Sequence, residues 1–313
     1  MVGSLQDIRL FVAAYEERSF TVAAQRENAT QSGVSQHIRK LEQRFRVALF
    51  SRDKGRVTAT PAGDAYYRAC LDVLRAHDAA TKVAQSYGGG LEGEVVVGLM
   101  PTMTRCVLAP ALARFTSAHP NTAIRVVEGY SGTLTHLVRG AELDFAIVPG
   151  TAAIAGIVSR LFMRTPEVLV GSAAHWPRRT MEPVRPAELG PLRLVVPSRV
   201  NTRRISIESY FASNGVAIER LIELDAMFGT LDLVGRSDWV AVLPGIMVAG
   251  EEEPTNLLIN PLASPSLTLD LVLIEPARRA ISPVAGAFLA VLEEEARRIN
   301  SRWAAPEATY RAA

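Results

Sequence analysis

The first sixty residues carry apolar positions at helical spacing and then a short extended pattern. Leu5, Ile8, Phe11, Val12 and Tyr15 recur at intervals of three and four behind Ser4, with Asp7 three positions on, the mark of a helix opened by a reciprocal cap. Ser19 is placed to cap a second helix, whose Val22, Ala23 and Ala24 are small enough for close packing. The stretch NATQSGVSQHIRKL opens as a turn around Asn28, and Thr30 caps a third helix predicted over about residues 31–45. In it Val34, Ile38 and Leu41 form an apolar face and read as core, while Gln31, Ser32, Ser35 and Gln36 form a polar row that contains no acid. After Leu49-Phe50, SRDKGRVTAT reads as two extended runs about a Lys54-Gly55 turn. Three helices and a basic hairpin make a winged helix-turn-helix, placed at residues 1–60.

From Pro61 to about Tyr87 breakers are few, and Tyr66, Cys70, Val73, Leu74 and Val83 keep apolar spacing, so one long helix is predicted, stopped at Gly88-Gly89-Gly90. Beyond the glycines, strands at 94–99, 123–128 and 145–148 alternate with helices at 107–117 and 133–139. A second run places strands near 168–171, 194–196, 221–224 and 240–243, and helices near 205–214 and 229–235. A strong strand at 267–274 and an amphipathic helix at 284–299 close the pattern. Such alternation predicts a mostly parallel sheet with helices on its faces.

Composition bounds this picture. At 313 residues, 48% hydrophobic and 21% charged, the chain is globular and long enough for two or three domains. Met1 is followed by a polar segment rather than a secretory signal, and no run approaches the roughly 18 apolar residues of a spanning helix, which places the protein in the cytoplasm. Cys70 and Cys106 stand far apart with no ligand near either, so no disulfide framework or metal site is indicated, and both read as buried or idle thiols. The net charge of +2 hides an asymmetry: residues 31–60 hold seven cations (Arg39, Lys40, Arg44, Arg46, Arg52, Lys54, Arg56) against Glu42 and Asp53, a local +5, which leaves −3 elsewhere. A basic patch of this kind suits a polyanion, although a solvated helix face would carry the same charge.

Ser19-Phe20-Thr21 with Ala23-Ala24, then TQSGVSQHIRKLE, VALFSR and TPAG, resembles the amino-terminal signature of the LysR-type transcriptional regulators, with weaker agreement to about residue 300. Three departures stand inside that signature: Gly33 within the recognition helix, Ser32 where Pro is common, and Arg46 where glycine is usual. The resemblance implies double-stranded DNA as partner. In the major groove Gln pairs with adenine edges, Ser and Thr with several groups, and Arg with guanine. Thr30, Gln31, Ser32, Ser35 and Gln36 are therefore the expected base-facing residues, and Arg39, Lys40, Arg52, Lys54 and Arg56 the expected backbone contacts. His37 reads as a surface or phosphate-facing residue rather than a metal ligand. The resemblance also implies that residues 61–90 are a linker and dimerisation helix with a hinge, in a dimer or tetramer, where the pattern alone would allow an ordinary packed helix.

By the same resemblance residues 91–313 form a two-lobed, periplasmic-binding-protein-like effector domain. Lobe 1 takes about 91–162 and 266–302, lobe 2 about 163–265, with crossovers near 162 and 266. Its cleft would take a small-molecule effector at strand carboxyl ends and helix amino termini. Thr102, Met103 and Thr104 of PTMTR, with Tyr130 and Ser131, are the expected contacts from lobe 1, and Asn201, Thr202, Arg203, Met227 and Phe228 those from lobe 2. Helix capping accounts equally well for each Ser or Thr, and surface charge for Arg203 and Arg204. Free N–H groups near Thr104 would favour an anionic effector such as a carboxylate. Ser237-Asp238-Trp239 replaces the family's glycine-rich turn before AVLP, and packing explains Trp239. No GxSxG, GxxxxGKS, HExxH or CxxC occurs, and the five His show no triad spacing, so no catalytic residues and no cofactor are expected. The rival readings are an exported solute-binding protein, which has no use for the basic helices, and an architectural DNA binder, which leaves the cleft without a role.

Overall fold

The computed structural model describes residues 4–53, 56–86, 91–150, 154–199, 201–250 and 256–303. It divides into two compact units: residues 1–90 with the short segments 153–158 and 275–283, and the rest of the chain. The first unit holds α1 (Leu5–Glu17), α2 (Phe20–Arg26), α3 (Gln31–Phe45), the antiparallel hairpin of β1 (Phe50–Asp53) and β2 (Arg56–Ala59), and α4 (Pro61–Ser86). The helices start where their caps stand. Ser4 and Asp7 satisfy each other's backbone N–H, Ser19 Oγ accepts from Val22 N–H, and Thr30 Oγ1 accepts from Gly33 N–H at 3.1 Å. Asn28 makes the turn between α2 and α3 with φ 51°, a left-handed conformation that asparagine adopts more readily than most residues.

One core joins these elements. Phe11, Val34, Ile38, Leu41, Leu49 and Phe50 are buried together with Tyr67, Cys70 and Leu74 of α4, and the Phe11 ring lies 5.3 Å from Phe50 and 4.8 Å from Tyr66. Polar ties fix the hairpin. Glu42 Oε1 accepts from the N–H groups of Leu49 (2.9 Å) and Phe50 (3.1 Å), so the acid in the basic segment serves the backbone. Thr60 caps Gly63 N–H at 3.0 Å, donates to Ala48 O at 2.7 Å, and gives its own N–H to Leu49 O. Gly63 must be glycine, because a Cβ there would stand 2.2 Å from Leu49 O.

Within the same unit the Glu16 carboxylate is enclosed. Tyr67 Oη donates to it at 2.9 Å and accepts Gly156 N–H at 2.8 Å, Arg26 bonds it, and Arg278 reaches Glu27 at 3.0 Å. A buried carboxylate is tolerated only when its lone pairs are met in this way. These bonds, with Arg75 on Glu275 at 2.5 Å and Asp78 accepting from Ala280 N–H, explain why segments 153–158 and 275–283 belong with the helices.

The second unit begins with β3 (Gly93–Leu99), a helical run of α5 (Pro101–Met103), a π-helical turn (Thr104–Leu108) and α6 (Ala109–Ala118), then β4 (Thr122–Glu128), α7 (Ser131–Arg139) and β5 (Phe145–Pro149). β6 (Ile157–Ser172) leads to β7 (Leu192–Val196), α8 (Thr202–Ser213), β8 (Ile218–Glu223), α9 (Met227–Gly235), β9 (Val240–Pro244), α10 (Gly245–Val248) and β10 (Leu257–Pro261). β11 (Thr268–Pro276) and α11 (Pro283–Asn300) complete it. The strand order is β4-β3-β5-β11-β6-β9-β7-β8, with β10 also on β6.

β3 runs parallel to β4 and β5, and β7 parallel to β8 and β9, as expected of strand–helix alternation. The prediction of a mostly parallel sheet holds only for these two triplets. β11 is antiparallel to β5, and β6 to β9 and β10, because β6 and β11 cross between the lobes as strands, without an intervening helix. Only the far end of β6 was expected. Its first half, with Ser159, Arg160 and Leu161 exposed, lacks the apolar run that marks a buried strand. The helical run expected from Val107 begins earlier, at Pro101, whose fixed φ and missing N–H suit the first helical position.

Candidate nucleic-acid interface and effector cleft

The recognition face is built by burial. Val34, Ile38 and Leu41 turn one side of α3 into the core, which leaves Thr30, Gln31, Ser32, Gln36, Arg39 and Lys40 exposed and Ser35 half-buried on the other. Lys54 lies outside the described residues, as do the side chains of Arg52 and Arg56, although their backbones pair in β1 and β2. His37 stays partly exposed, and its Nδ1 pairs with Asp7 Oδ1 at 2.5 Å, which ties α3 to α1. Partial burial works against ionisation of Asp7, but the hydrogen bonds from His37 and Ser4 outweigh it and hold the carboxyl below its ordinary value.

The second unit presents two crevices of one kind. In lobe 1 the chain leaves β3 to opposite sides toward β4 and β5, and in lobe 2 it passes from β7 to β8 and then back beyond β7 to β9, so each triplet has a point at its strand carboxyl ends where the order reverses. Tyr130, Asn201, Arg203, Asp225, Met227 and Thr230 line the lobe 2 crevice, whose cavity is only about 30 Å³, room for a single water. Tyr130 reaches it from lobe 1, and its hydroxyl donates to Asp225 O. A more open cavity of about 280 Å³ lies beside it, lined by Pro149, Gly150, Thr202, Arg203, Ser206, Thr268, Leu269 and Asp270.

The ten expected effector contacts separate on this geometry. Tyr130, Asn201, Arg203 and Met227 converge on the closed crevice and Thr202 on the open cavity. Met103 is fully buried core, Ser131 is the first residue of α7, and Phe228 is 74% exposed beside the crevice. Thr102 is 3% exposed and lines neither cavity. Arg203 is no surface charge: at 5% exposure it makes two bonds to the Glu167 carboxylate, at 2.8 and 2.7 Å, and a third to Val242 O. Arg204 is likewise buried, on Glu208, Glu223 and Pro197 O.

The basis for an anion at PTMTR does not survive. Thr104 N–H donates to Met100 O at 3.1 Å, and its hydroxyl is hydrogen-bonded to the carboxylate of Glu128, so the chain's own acid already occupies that position.

Residues 88–297 match the model of the LysR substrate binding domain, and residues 5–64 that of the bacterial regulatory helix-turn-helix protein, lysR family. The chain belongs to the LysR family. It is 25% identical to the nitrogen assimilation regulatory protein nac of Escherichia coli K12 over 91% of this chain and 92% of that one. Full-length BenM is 21% identical at a TM-score of 0.54, covering 97% and 99%, and the oxidized form of Corynebacterium glutamicum OxyR is 19% identical at 0.53, covering 97% and 94%; both share the fold. This LysR-type chain is a DNA-binding transcriptional regulator with an effector-binding domain.

The departures from the family signature now have physical readings. Arg46 closes α3 with φ 53°, the left-handed conformation glycine adopts freely. Gly33 leaves room for the cap, since a Cβ would come within 3.0 Å of Thr30 Oγ1. Ser32 Oγ lies 3.2 Å from that same oxygen. Trp239 packs half-buried against the lobe 2 core, with the Arg220 guanidinium 5.9 Å from its ring, which agrees with the packing account. Sequence reasoning did not single out Asp225, which lines the lobe 2 crevice and accepts from Ser198 N–H at 2.9 Å.

Proposed function

We propose that this regulator reads its operator through Gln31, Ser32, Ser35 and Gln36, anchors on phosphates through Arg39, Lys40 and the wing residues Arg52, Lys54 and Arg56, and responds to a small molecule held between its lobes. The polar, acid-free row exposed at the start of α3 carries the DNA reading, because side chains of this length and chemistry match base edges in the major groove. The effector reading rests on the crevice at the lobe 2 switch point, where Tyr130, Asn201, Arg203 and Met227 converge. Self-association through α4 is part of the reading. A groove of about 340 Å³ lined by Ile8, Phe45, Tyr66, Ala69, Cys70 and Val73 leaves apolar surface open on that helix. The regulator acts in the cytoplasm as a switch without catalytic chemistry; among the described residues no helix is long and apolar enough to cross a membrane.

Electrophoretic shift on the upstream region of its own gene separates this reading from an architectural binder. Gln31→Ala should weaken the specific site by about 1–3 kcal/mol and random DNA far less. Equal losses on both would rule out base reading by Gln31. Removing Arg56 should weaken both DNAs together and lower the salt slope by about one unit.

A further inference from the structure

Within the first unit, the ends of the two strands that cross between the lobes are gripped by α1, α2 and α4. β11 pairs with β5 of lobe 1 over Leu271–Ile274 and runs out into segment 275–283. β6 starts from segment 153–158 and pairs with β9 and β10 of lobe 2 over residues 167–172. Gly156 joins the pieces. In a left-handed conformation, φ 83°, its N–H donates to Tyr67 Oη at 2.8 Å and its carbonyl accepts from Ala277 N–H at 2.9 Å, so one residue touches both α4 and the end of the other strand. Tyr67 passes the bond on to Glu16 of α1, whose side chain has no exposed surface. Arg278 Nε stands 3.9 Å from the same carboxylate, and its Nη1 bonds Glu27, the residue that closes α2, at 3.0 Å. Arg75 and Asp78 of α4 hold Glu275 and the Ala280 N–H.

Two features mark this seam as a moving part. It is made largely of hydrogen bonds and ion pairs, and Arg278 and Glu27 are open to water at 21% and 18% of their side-chain surface. Water replaces each partner when such a seam opens, so opening costs far less than parting an apolar core of the same size. Its two strand ends also belong to strands paired in different lobes, so a change in the angle between the lobes displaces one end against the other where Tyr67 and Arg278 hold them. Packed joins of this kind have discrete arrangements rather than a continuous range.

We propose that this clamp carries lobe movement to the DNA-reading helices inside one chain, with Arg278 and Tyr67 as its positioning residues. Engaged, it fixes the helices to the ends of β6 and β11; released, it leaves them held through α4 alone. The inference rests on the operator and effector readings proposed above, and the effector sets the balance only through its difference in affinity for the two arrangements. Coupling is reciprocal, so bound DNA must act back on the strands.

Reciprocity allows a test on the full chain with DNA as the probe. Hydrogen exchange is followed by mass spectrometry, with the duplex from upstream of the protein's own gene and a random duplex of equal length. Without DNA, Arg278→Glu sets an acid against Glu16 and Glu27 and should raise exchange of α2 and of 275–283 several-fold; adding Glu27→Arg should bring it back toward the parent. At saturation the specific duplex should change exchange in β6 and β11 of the parent several-fold, and this response should vanish in Arg278→Glu. Tyr67→Phe keeps the ring stacked on Tyr15 and deletes both hydroxyl bonds, so it should lose the β6 response, and it decides the matter if Arg278→Glu fails to fold. Exchange unchanged in both DNA-free variants would show that no clamp closes in solution. A response absent from the DNA-bound parent, or one that survives both substitutions, would leave α4 as the sole route; each of these results overturns the proposal. A parent that binds the two duplexes equally would instead fail the operator reading, with the DNA-free variants still deciding whether the clamp forms.

Discussion

Gly63→Ala is the sharpest test of how the hairpin is joined to the recognition helix. A Cβ at this position stands 2.2 Å from Leu49 O and 3.2 Å from the Leu49 carbonyl carbon, against a floor of 3.0 Å for real Cβ contacts, so backbone must move by at least 0.8 Å. The obstructed oxygen also accepts Thr60 N–H at 3.0 Å, and the neighbouring N–H groups of Leu49 and Phe50 are those held by Glu42. Overpacking a tight site costs about 1–3 kcal/mol and a lost backbone hydrogen bond about 0.5–1.5 kcal/mol. Alanine's helix propensity recovers at most about 1 kcal/mol. A net destabilisation of roughly 1–3 kcal/mol follows, read as a lower urea midpoint for the first unit. Gly132, in the first turn of α7 with nothing within 4 Å of its Cβ position, is the matched control, and Gly132→Ala should be neutral or stabilising by up to about 1 kcal/mol. If Gly63→Ala proved as stable as the parent while Gly132→Ala behaved as stated, the close approach of α4 to Leu49 O would be wrong.

Arg46→Gly relieves a left-handed residue and should raise stability by about 1 kcal/mol in chemical denaturation; a loss of stability would mean the αL cap is not there. Val73, 45% exposed on α4 beside the apolar groove, should be covered in the assembly, so Val73→Glu should give smaller species in light scattering, and unchanged mass would move the seam elsewhere. Asp7 has a folded pKa below its unfolded value of 3.8, so its contribution is complete above that pH and fades as pH falls through the folded value. Asp7→Asn should therefore cost about 0.5–1 kcal/mol at pH 7 through the damaged cap, with the gap from the parent closing below pH 4; a gap independent of pH would show that the carboxylate's charge has no part in it. Cys70 is buried with its thiol pushed up to about 11, so it should resist alkylating reagents in the native protein at pH 7, and fast labelling would contradict that burial.

Local chemistry alone determined a good deal of this protein. Ser4, Ser19 and Thr30 begin helices where a side-chain oxygen meets the first free N–H groups, and the spacing of Val34, Ile38 and Leu41 decided which face of α3 is left exposed. These relations span three or four residues, so the sequence displays them directly. The strands of each parallel triplet were legible for the same reason, being short apolar runs between helices. Relations across the chain were not. The partnership of His37 with Asp7 links positions 30 apart, that of Arg203 with Glu167 turns an apparent surface cation into a buried ion pair 36 residues away, and the bond from Tyr130 to Asp225 spans 95. Whether a threonine caps a helix, faces a ligand or meets a glutamate depends on what the other lobe and the neighbouring strand place beside it. That is why the exposed polar face of α3 could be read from one helix, while the groups that line the lobe 2 crevice could not: they lie far apart in the chain and only the packed sheet brings them together.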